Sequence, residues 1–552
     1  MTFSLRHRAP FRTSSLSDWL REANVTLAFA AMFVPALGTI QVAQAQAFSI
    51  LHKFAGPPSD GSTPNTGLLR DSAGNMYGTT RAGGTFNAGT IFKLDPAGNE
   101  TVLFNFKGGS EGATPTGVVR DAAGNTYGAT ATGGVKVSTT CPSGCGLVYK
   151  IDPLGNFTVL HEFSVADGAS PGALTIDAGG NLYGPASYGG PNCLLDYCGG
   201  TIFKIDSSGS FTVLHTFPAN GPGSPNGPLV LDESGNIYGT AFSVVFKLDP
   251  AGNFSVLYSL FTGLDGGNVT SALFRDSGGN LYGTTSFGGD SNCNAGNGCG
   301  TIFKVDKNGN ATLLYNFEDS TDGGYPATGV IVDAKGNVYG TAFSGGAPTC
   351  GGGCGVVFRV DPAGNERALH AFTNQDDAVS PGFDGSGPSL VRDEAGNLYG
   401  TAAVAPFGGN TTFGTVFKVA RQEADLLLQA GAPSGSGKSH SFYTYTFNII
   451  NLGPDFSEWP RLVAHVPYGT VFHNYTMSAP GYCTTPAENS RGEVVCRYRG
   501  ALSPYGSAWT VTLTVWAWAP PGSVITETAA TMAGTHDPNW SNNTFTYTTP
   551  LQ

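Results

Sequence analysis

Charged side chains are scarce in this 552-residue chain, because Asp, Glu, Lys and Arg together make up only 12%, about half of the usual share. Basic residues are the scarcer sign, with 28 Lys and Arg against 40 Asp and Glu, which argues against nucleic acid as a partner. Gly-X-Y periodicity is absent despite 80 glycines, so a collagen helix is excluded. Aromatic residues are plentiful, with 35 Phe and 21 Tyr. This composition excludes a disordered chain and indicates an all-β protein of short strands and tight turns.

Residues 1–47 have the organisation of a secretory signal peptide. Four arginines accompany an apolar stretch, Val25–Leu37, and Ala43, Ala45 and Ala47 then offer A-x-A cleavage sites. An N-terminal membrane anchor is the alternative, although Pro35 interrupts the apolar stretch. Removal of residues 1–47, with four arginines and two acidic residues, would leave a net charge of −14. We therefore expect a secreted or cell-surface protein without a membrane span in its mature chain.

The ten cysteines fall into five close pairs, and none is left over. The pairs are Cys141/Cys145, Cys193/Cys198, Cys293/Cys299, Cys350/Cys354 and Cys483/Cys496. In an exported chain this spacing predicts five local disulfides. Zinc is the alternative, but a zinc site needs about four ligands at one point. No histidine lies near the first four pairs, which recur one per repeat.

A tandem repeat organises most of the chain. A Tyr-Gly pair follows a Gly-Asn turn seven times, at Tyr77, Tyr127, Tyr183, Tyr238, Tyr282, Tyr339 and Tyr399. Each unit carries the same four short apolar runs, which in the first unit are Gly67–Asp71, Asn75–Thr80, Gly89–Asp95 and Thr101–Phe106. The turns between them, D-x-x-G-N and D-P-x-G-N, have Asp, Pro and Gly where a type I turn favours them. Each unit is therefore predicted to be a four-stranded antiparallel meander.

Seven such units of about 53 residues, over residues 48–420, predict a seven-bladed β-propeller. A β-solenoid is the alternative, although it usually has shorter coils and parallel strands. The ends of the repeat region agree with a closed ring, since Phe48–Phe54 is a fourth-strand run and the last unit stops after the third-strand run Gly414–Val419. The N-terminal run is therefore expected to complete the seventh blade and to remove two open sheet edges.

The G-x-x-x-D-x-x-G-N-x-Y units resemble the GloVer tandem repeat of exported bacterial proteins, and more distantly the NHL-type propeller repeats. The resemblance covers roughly residues 48–420. It implies export and a repeat fold, but no known chemistry.

Residues 424–550 continue the β pattern without the repeat. The segments Tyr445–Pro454, Val466–Phe472 and Asp537–Thr544 resemble the Ig-like repeat domain known as domain of unknown function eleven, common on bacterial surface proteins. Cys483 and Cys496 stand where that family often carries two cysteines. The resemblance implies an Ig-like β-sandwich that serves as a spacer or adhesion module.

The histidines that could be catalytic occupy a recurring position of the repeat. An active site that occurs once should instead appear as a residue that differs from its counterparts in the other repeats. All four histidines of the repeat region share one position of the fourth strand with other aromatic residues; in chain order this position holds His52, Phe104, His161, His215, Tyr258, Tyr315 and His370. A position shared by His, Phe and Tyr predicts the packing of a flat ring. A recurring lysine of the third strand, such as Lys93, predicts an ion pair or a snorkelling stem.

The two faces of the predicted propeller differ. Both tight turns would lie on one face, and the long, disulfide-linked loops on the other, where ligand binding is expected. Acidic residues stand just before the innermost strands of five units: Asp60, Glu111, Asp167, Asp265 and Asp322. They are predicted to form a loose acidic ring near the central channel that binds calcium or a cationic ligand. The alternative is that Asp-Gly here is another turn.

These features predict an exported, non-enzymatic binding or structural protein that needs no cofactor apart from this calcium. It is expected to be a monomer that binds an extracellular glycan or protein on the long-loop face, and no nucleic acid. The alternative is an extracellular lyase or hydrolase acting on a glycan or peptide at the top of the propeller. That enzyme would need a histidine among non-periodic acids, which are Glu366, Asp376, Asp377 and Asp384.

Overall fold

The structure is a computed structural model that describes residues 48–552 except 65, 135–140, 192–198, 219–222, 226, 261–266, 268, 270–271, 291–292, 294–296, 327, 347–353, 374–389, 404–412, 422–423, 454–456, 504–505, 536 and 538. The predicted signal peptide, residues 1–47, lies outside the described residues, and so do Cys193, Cys198, Cys350 and Asp265. The described chain divides into two compact units, residues 48–421 and residues 424–552. The chain is all-β, as the composition predicts.

The described part of residues 48–421 folds into seven antiparallel sheets, and in six of them neighbouring strands come from the same stretch of chain. Sheet 1 consists of Leu69–Arg70, Met76–Thr80, Thr90–Leu94 and Glu100–Asn105. Sheet 2 consists of Ala113–Arg120, Thr126–Thr132, Leu147–Ile151 and Phe157–Glu162. Sheet 3 consists of Thr175–Ile176, Leu182–Tyr188, Thr201–Ile205 and Phe211–Thr216, with Ala169–Pro171 as a fifth strand.

Sheets 4 to 7 repeat this arrangement. Sheet 4 consists of Val230–Leu231, Ile237–Ala241, Val244–Leu248 and Phe254–Ser259. Sheet 5 consists of Phe274–Arg275, Leu281–Thr285, Thr301–Val305 and Ala311–Asn316, and sheet 6 of Ile331–Val332, Val338–Ala342, Val356–Val360 and Glu366–Ala371. Sheet 7 takes Val391–Arg392, Leu398–Ala402 and Thr415–Val419 from the last repeat. Outside the sheets, Gly61–Ser62 pairs with Ala82–Gly83, and Gly109–Glu111 is a 3-10 turn.

The fourth strand of sheet 7 is the N-terminal strand Phe48–Lys53, which pairs antiparallel with Thr415–Val419. This is the pairing that the phase of the repeat predicts. Phe54, which follows the strand, is buried with Phe92 of sheet 1 and Val416 of sheet 7 in one apolar cluster. The first and last sheets are therefore in direct contact through the segment that begins the described chain.

In the tight turn between the first and second strands of all seven sheets, the aspartate accepts hydrogen bonds from the backbone N–H and side-chain amide of the asparagine and from the tyrosine hydroxyl. In sheet 6, one oxygen of Asp333 accepts backbone N–H groups of Lys335 and Asn337, each at 2.9 Å. The other accepts the Asn337 amide at 2.9 Å and the Tyr339 hydroxyl at 3.1 Å. Burial alone would raise the pKa of Asp333, but these hydrogen bonds outweigh it and hold the pKa below its usual value.

The Tyr-Gly pair of the second strand packs against the third strand. Phe358 is the cross-strand partner of Gly340, and a Cβ at Gly340 would lie 2.5 Å from its ring. Any side chain larger than that of glycine would therefore overlap the ring. On the opposite face of sheets 2, 3, 4, 5 and 7 the recurring lysine lies over the tyrosine ring, as Lys204 does over Tyr183 with its Nζ 5.5 Å from the ring centroid. The sequence suggested an ion pair or a snorkelling stem, and this cation–π contact adds to that interpretation.

Residues 424–552 form two five-stranded antiparallel sheets around one core. The first contains Leu426–Ala430, Ser434–Gly435, Ser441–Asn451, Thr470–Met477 and Ser507–Ala517. The second contains Arg461–His465, Gly481–Thr484, Glu493–Tyr498, Val524–Met532 and Thr544–Pro550. A short pair, Ser457–Glu458 with Ala501–Leu502, and a 3-10 turn at Trp540–Asn542 complete the unit. Inward residues alternate along the strands, and Trp509 is fully buried at the centre.

Three of the five predicted disulfides lie within the described residues. They join Cys141 to Cys145, Cys293 to Cys299, and Cys483 to Cys496. Cys354 is also disulfide-bonded, whereas Cys193 and Cys198 fall outside the described residues. No helix in the described part of the chain is long and apolar enough to cross a membrane.

Mass spectrometry of the unreduced protein is expected to find no free thiol and five short-range links, including Cys193–Cys198 and Cys350–Cys354. Each link closes a short loop and so stabilises the fold by only about 2 kcal/mol. Links between cysteines of different repeats, or zinc retained on purification, would contradict the pairing.

Candidate functional site

The ring position of the fourth strand packs against the next sheet. Its side chain stacks on the first residue of the following fourth strand in four described interfaces: His370 on Phe48 at 3.7 Å between centroids, Phe104 on Phe157 at 4.9 Å, His161 on Phe211 at 3.6 Å, and His215 on Phe254 at 4.3 Å. Burial lowers the pKa of His215. These contacts are the flat-ring packing that the sequence predicts.

Two interfaces have a glutamate at the position where four others have the stacking phenylalanine, and the remaining interface has Ala311 there. Glu100 opens the fourth strand of sheet 1 and faces His52, and Glu366 opens that of sheet 6 and lies near Tyr315. The register of both strands confirms the equivalence, since Glu100 pairs with Leu94 as Phe157 pairs with Ile151. Acidic groups thus replace apolar rings between sheets 7 and 1 and between sheets 5 and 6.

His52, Asp60 and Glu100 form a compact cluster between sheets 7 and 1. The His52 Nε2 lies 3.3 Å from Asp60 Oδ2 and 3.7 Å from Glu100 Oε2. One potential ligand atom from each residue lies within 4.8 Å of the others. The side chains are 18%, 9% and 13% exposed, respectively. Three donors of the kinds that bind metal ions therefore converge in a largely buried space.

The two carboxyl groups of the cluster differ in electrostatics. Burial raises the pKa of Glu100 and the charge of Asp60 raises it further, to about 7. Its Oε1 is buried and has no hydrogen-bond partner. Burial would also raise the pKa of Asp60, but hydrogen bonds from His52 and from the backbone N–H groups of Ala55 and Gly61 hold it below its usual value. Asp60 is therefore held in its ionised form by hydrogen bonds, whereas the ionised form of Glu100 is disfavoured by burial and by the charge of Asp60.

Asp322 and Asp167 occupy positions like that of Asp60 but lack the complete cluster. Asp322 accepts the Tyr315 hydroxyl at 3.0 Å, and burial and the Asp322 charge raise the pKa of Glu366 to about 8. A phenol thus stands where the first cluster has an imidazole. Asp167 lies 3.0 Å from His161 Nε2, but Phe211 takes the place of the glutamate.

The predicted acids contact their own loops and the adjoining fourth strand. Asp322 also accepts N–H groups of Glu318 and Ser320, and Asp167 accepts that of Ser164. Glu111 pairs with Lys107 at 2.7 Å. Asp265 lies outside the described residues. A shared acidic ring around a channel therefore stays a prediction.

Glu100 was missed by the sequence reasoning. Its signal was available, because Glu100 interrupts the repeat at a position where four other units have phenylalanine.

Solved structures similar to this chain include the extracellular domains of two hybrid two-component systems of B. thetaiotaomicron. They are 11% and 12% identical, with TM-scores of 0.43 and 0.41; the match covers 74% and 92% of this chain, and 46% and 58% of theirs. This chain thus spans about half of their length. A gluconolactonase of Xanthomonas campestris is 12% identical with a TM-score of 0.34, over 68% of this chain and 96% of its own.

No curated protein matches the sequence. The model of the Gloeobacter/Verrucomicrobia repeat matches residues 36–243, 138–295 and 241–442, which together span well over half of the chain. The matched residues include all seven Tyr-Gly units and all seven antiparallel sheets. The chain therefore belongs to the Gloeobacter/Verrucomicrobia repeat family.

Proposed function

We propose that this protein is an exported, non-enzymatic binding protein, in which a seven-bladed β-propeller is followed by an Ig-like β-sandwich. The propeller binds a divalent cation through His52, Asp60 and Glu100. Seven successive meanders and the pairing of Phe48–Lys53 with Thr415–Val419 support the propeller. Two five-stranded sheets around one core support the sandwich. Local disulfides support an oxidising compartment outside the cytosol.

The observation that carries the cation proposal is the convergence of His52 Nε2 with carboxylate oxygens of Asp60 and Glu100 within 4.8 Å. An imidazole nitrogen with two carboxylates suits zinc or manganese, whereas calcium takes oxygen ligands. The unpartnered Oε1 of Glu100 gives a second reason, because a cation would stabilise the ionised carboxylate that burial disfavours. The cation class therefore differs from the calcium expected from the sequence.

The position of the cluster indicates what the cation does. His52 belongs to the N-terminal strand that completes sheet 7, whereas Glu100 belongs to sheet 1 and Asp60 to the loop that leads into it. A bound cation would therefore join the two ends of the repeat unit. It would stabilise the folded state by mass action, since the unfolded chain does not hold the three ligands together.

Binding rather than catalysis is proposed because the other groups suited to acid–base chemistry are engaged in packing or turns. His161, His215 and His370 stack between sheets, and the turn acids such as Asp333 accept several hydrogen bonds. An extracellular glycan or protein ligand on the long-loop face is part of this proposal, because rigid scaffolds commonly present binding groups on loops.

Isothermal titration of metal-free protein, residues 48–552, is expected to show one zinc ion bound per chain at pH 8, with a raised melting temperature. Glu100→Phe, which introduces the residue type that four other repeats have at this position, is expected to weaken binding at least a hundredfold. Lowering the pH from 8 to 6 is expected to weaken it about tenfold, because Glu100, whose pKa is raised to about 7, must lose its proton to bind metal.

His161→Phe is the matched control, because His161 occupies the equivalent position beside Asp167 but faces Phe211. This variant should leave zinc binding and its stabilising effect unchanged. Equal losses in the Glu100 and His161 variants, or no stabilisation by zinc or manganese in the unaltered protein, would contradict the proposal.

A further inference from the structure

A row of side chains crosses the outer face of the second sheet of residues 424–552. Tyr482 is the cross-strand partner of Arg497, Arg497 of Arg461, and Arg461 of Met532. Residues directly opposite each other in antiparallel strands project from the same face. The next residues along two of these strands, Leu462 and Cys496, are fully buried and face the core. The row therefore lies on the outward face of the sheet.

Arg461 and Arg497, the two arginines at the centre of the row, are directly opposite each other on neighbouring strands. Like charges directly opposite on neighbouring strands destabilise a sheet. Neither arginine, nor the nearby Arg499, forms an ion pair within the described residues. Residues 424–552 contain only five basic side chains, so three of the five gather at this place in an acidic protein. The concentration of unpaired positive charge points to an anionic partner.

Aromatic side chains border the same place. Tyr482 is 45% exposed, and the guanidinium carbons of Arg497 and Arg499 each lie 5.9 Å from its ring centroid. Trp459 is 58% exposed and has a φ of 48°, a left-handed conformation that bulky residues rarely adopt. The backbone N–H of Trp459 donates a hydrogen bond to Gly500 O at 3.1 Å, which helps to hold this conformation. A large aromatic ring is thus held in solvent at a conformational cost.

Together these side chains surround a pocket of about 340 Å³, lined by Trp459, Arg461, Tyr482, Arg497, Arg499 and Met532 among others. This volume is at the small end of ligand-binding pockets. Guanidinium groups recognise carboxylates through paired N–H donors. Aromatic faces carry negative potential and pack against the polarised C–H groups of a sugar ring.

We propose that this pocket binds a carboxylate-bearing saccharide, such as a uronic acid unit of an extracellular glycan, with the carboxylate at Arg461 and Arg497 and the sugar ring against Trp459. The net charge of −12 disfavours a long polyanion and favours one acidic unit held locally. The ligand's negative charge relieves the repulsion between the two arginines. This site is independent of the proposed cation site, since it lies in the other compact unit.

Calorimetric titration with trigalacturonate tests the proposal on the protein comprising residues 48–552. Trigalacturonate is expected to bind saturably, and its methyl ester, a neutral trisaccharide of the same length, at least tenfold more weakly. Arg497→Gln and Trp459→Ala are each expected to weaken trigalacturonate binding at least tenfold. The Arg497→Gln protein without ligand should melt at the same or a higher temperature, because the substitution removes a repulsive pair.

Arg491→Gln is the matched control, because Arg491 lies over the ring of Tyr468 at 4.8 Å and does not line the pocket. It should leave trigalacturonate binding unchanged. The proposal would be overturned by absent trigalacturonate binding, by equal binding of the methyl ester, or by an equal loss in the Arg491 variant. Tighter binding of sulfate, or of single-stranded DNA, than of trigalacturonate would also overturn it, as each would identify a different anion.

Discussion

Deletion of residues 48–54 is expected to lower the melting temperature of the repeat unit by about 10 °C or more, or to leave the protein aggregated. The deletion removes the whole strand paired with Thr415–Val419 and exposes that strand as an open edge. It also removes Phe48, which stacks on His370 at 3.7 Å, and Phe54, which packs edge-on against Phe92 at 5.1 Å. Contacts to two neighbouring sheets are thus lost together. Differential scanning calorimetry of the truncated and intact proteins measures the effect.

Tryptophan fluorescence provides an internal control for this experiment. Outside residues 1–47, every tryptophan lies in residues 424–552, so fluorescence reports on that unit alone. Its transition should not move on deletion of the strand, whereas the calorimetric transition of the repeat unit should. A synthetic peptide of residues 48–54 is expected to restore part of the lost stability. A truncated protein that melts within about 2 °C of the intact one would refute the closing role of this strand.

Replacement of Glu527 by methionine is expected to stabilise residues 424–552 by about 2 to 4 kcal/mol at pH 8. Glu527 is completely buried between the inward-facing Ile525 and Ala529, and neither of its carboxyl oxygens has a hydrogen-bond partner. Burial raises its pKa to about 9. Methionine is similar in length and removes the polar atoms. Urea unfolding monitored by tryptophan fluorescence measures the change in the free energy of unfolding.

The gain from Glu527→Met should depend on pH in a defined direction. Because the pKa is raised in the folded state, the unfolded chain binds fewer protons than the folded chain between about pH 4.5 and 9. The glutamate therefore costs progressively more stability as the pH rises through this window, and the gain should be largest near pH 9. Glu493→Met, at an exposed position, is the control and should change stability little at any pH. A gain independent of pH would show that Glu527 is already ionised in the folded protein.

Local chemistry explains why much of the fold could be predicted from the sequence. The D-x-x-G-N-x-Y unit specifies a turn through contacts within seven residues, such as Asp333 to Asn337 and Tyr339. The N-terminal strand was predictable too, because its residues match a fourth-strand run and the last repeat lacks such a run. The flat-ring position followed from its occupants, His, Phe and Tyr.

The candidate sites required contacts that local patterns do not contain. His52 and Glu100 belong to different sheets, and their proximity depends on how successive sheets stack. Arg461 and Arg497 become neighbours only through the register of two strands. The contact between the recurring lysine and the tyrosine was not predicted, because the ring face that attracts the ammonium group lies on the neighbouring strand. Register and sheet packing thus decide which side chains meet.

Synthesis proceeds from the N terminus, so the strand Phe48–Lys53 is made first and acquires its partner last. Thr415–Val419 must be complete before the two can pair, and the entropy of closing so long a loop makes this a late step of folding. Until then the chain carries an unpaired strand at each end of its repeat unit. Two nascent chains close together can exchange these strands, each completing the last sheet of the other. Expression at a high concentration of the protein should therefore yield strand-swapped dimers, and folding at a low concentration should suppress them.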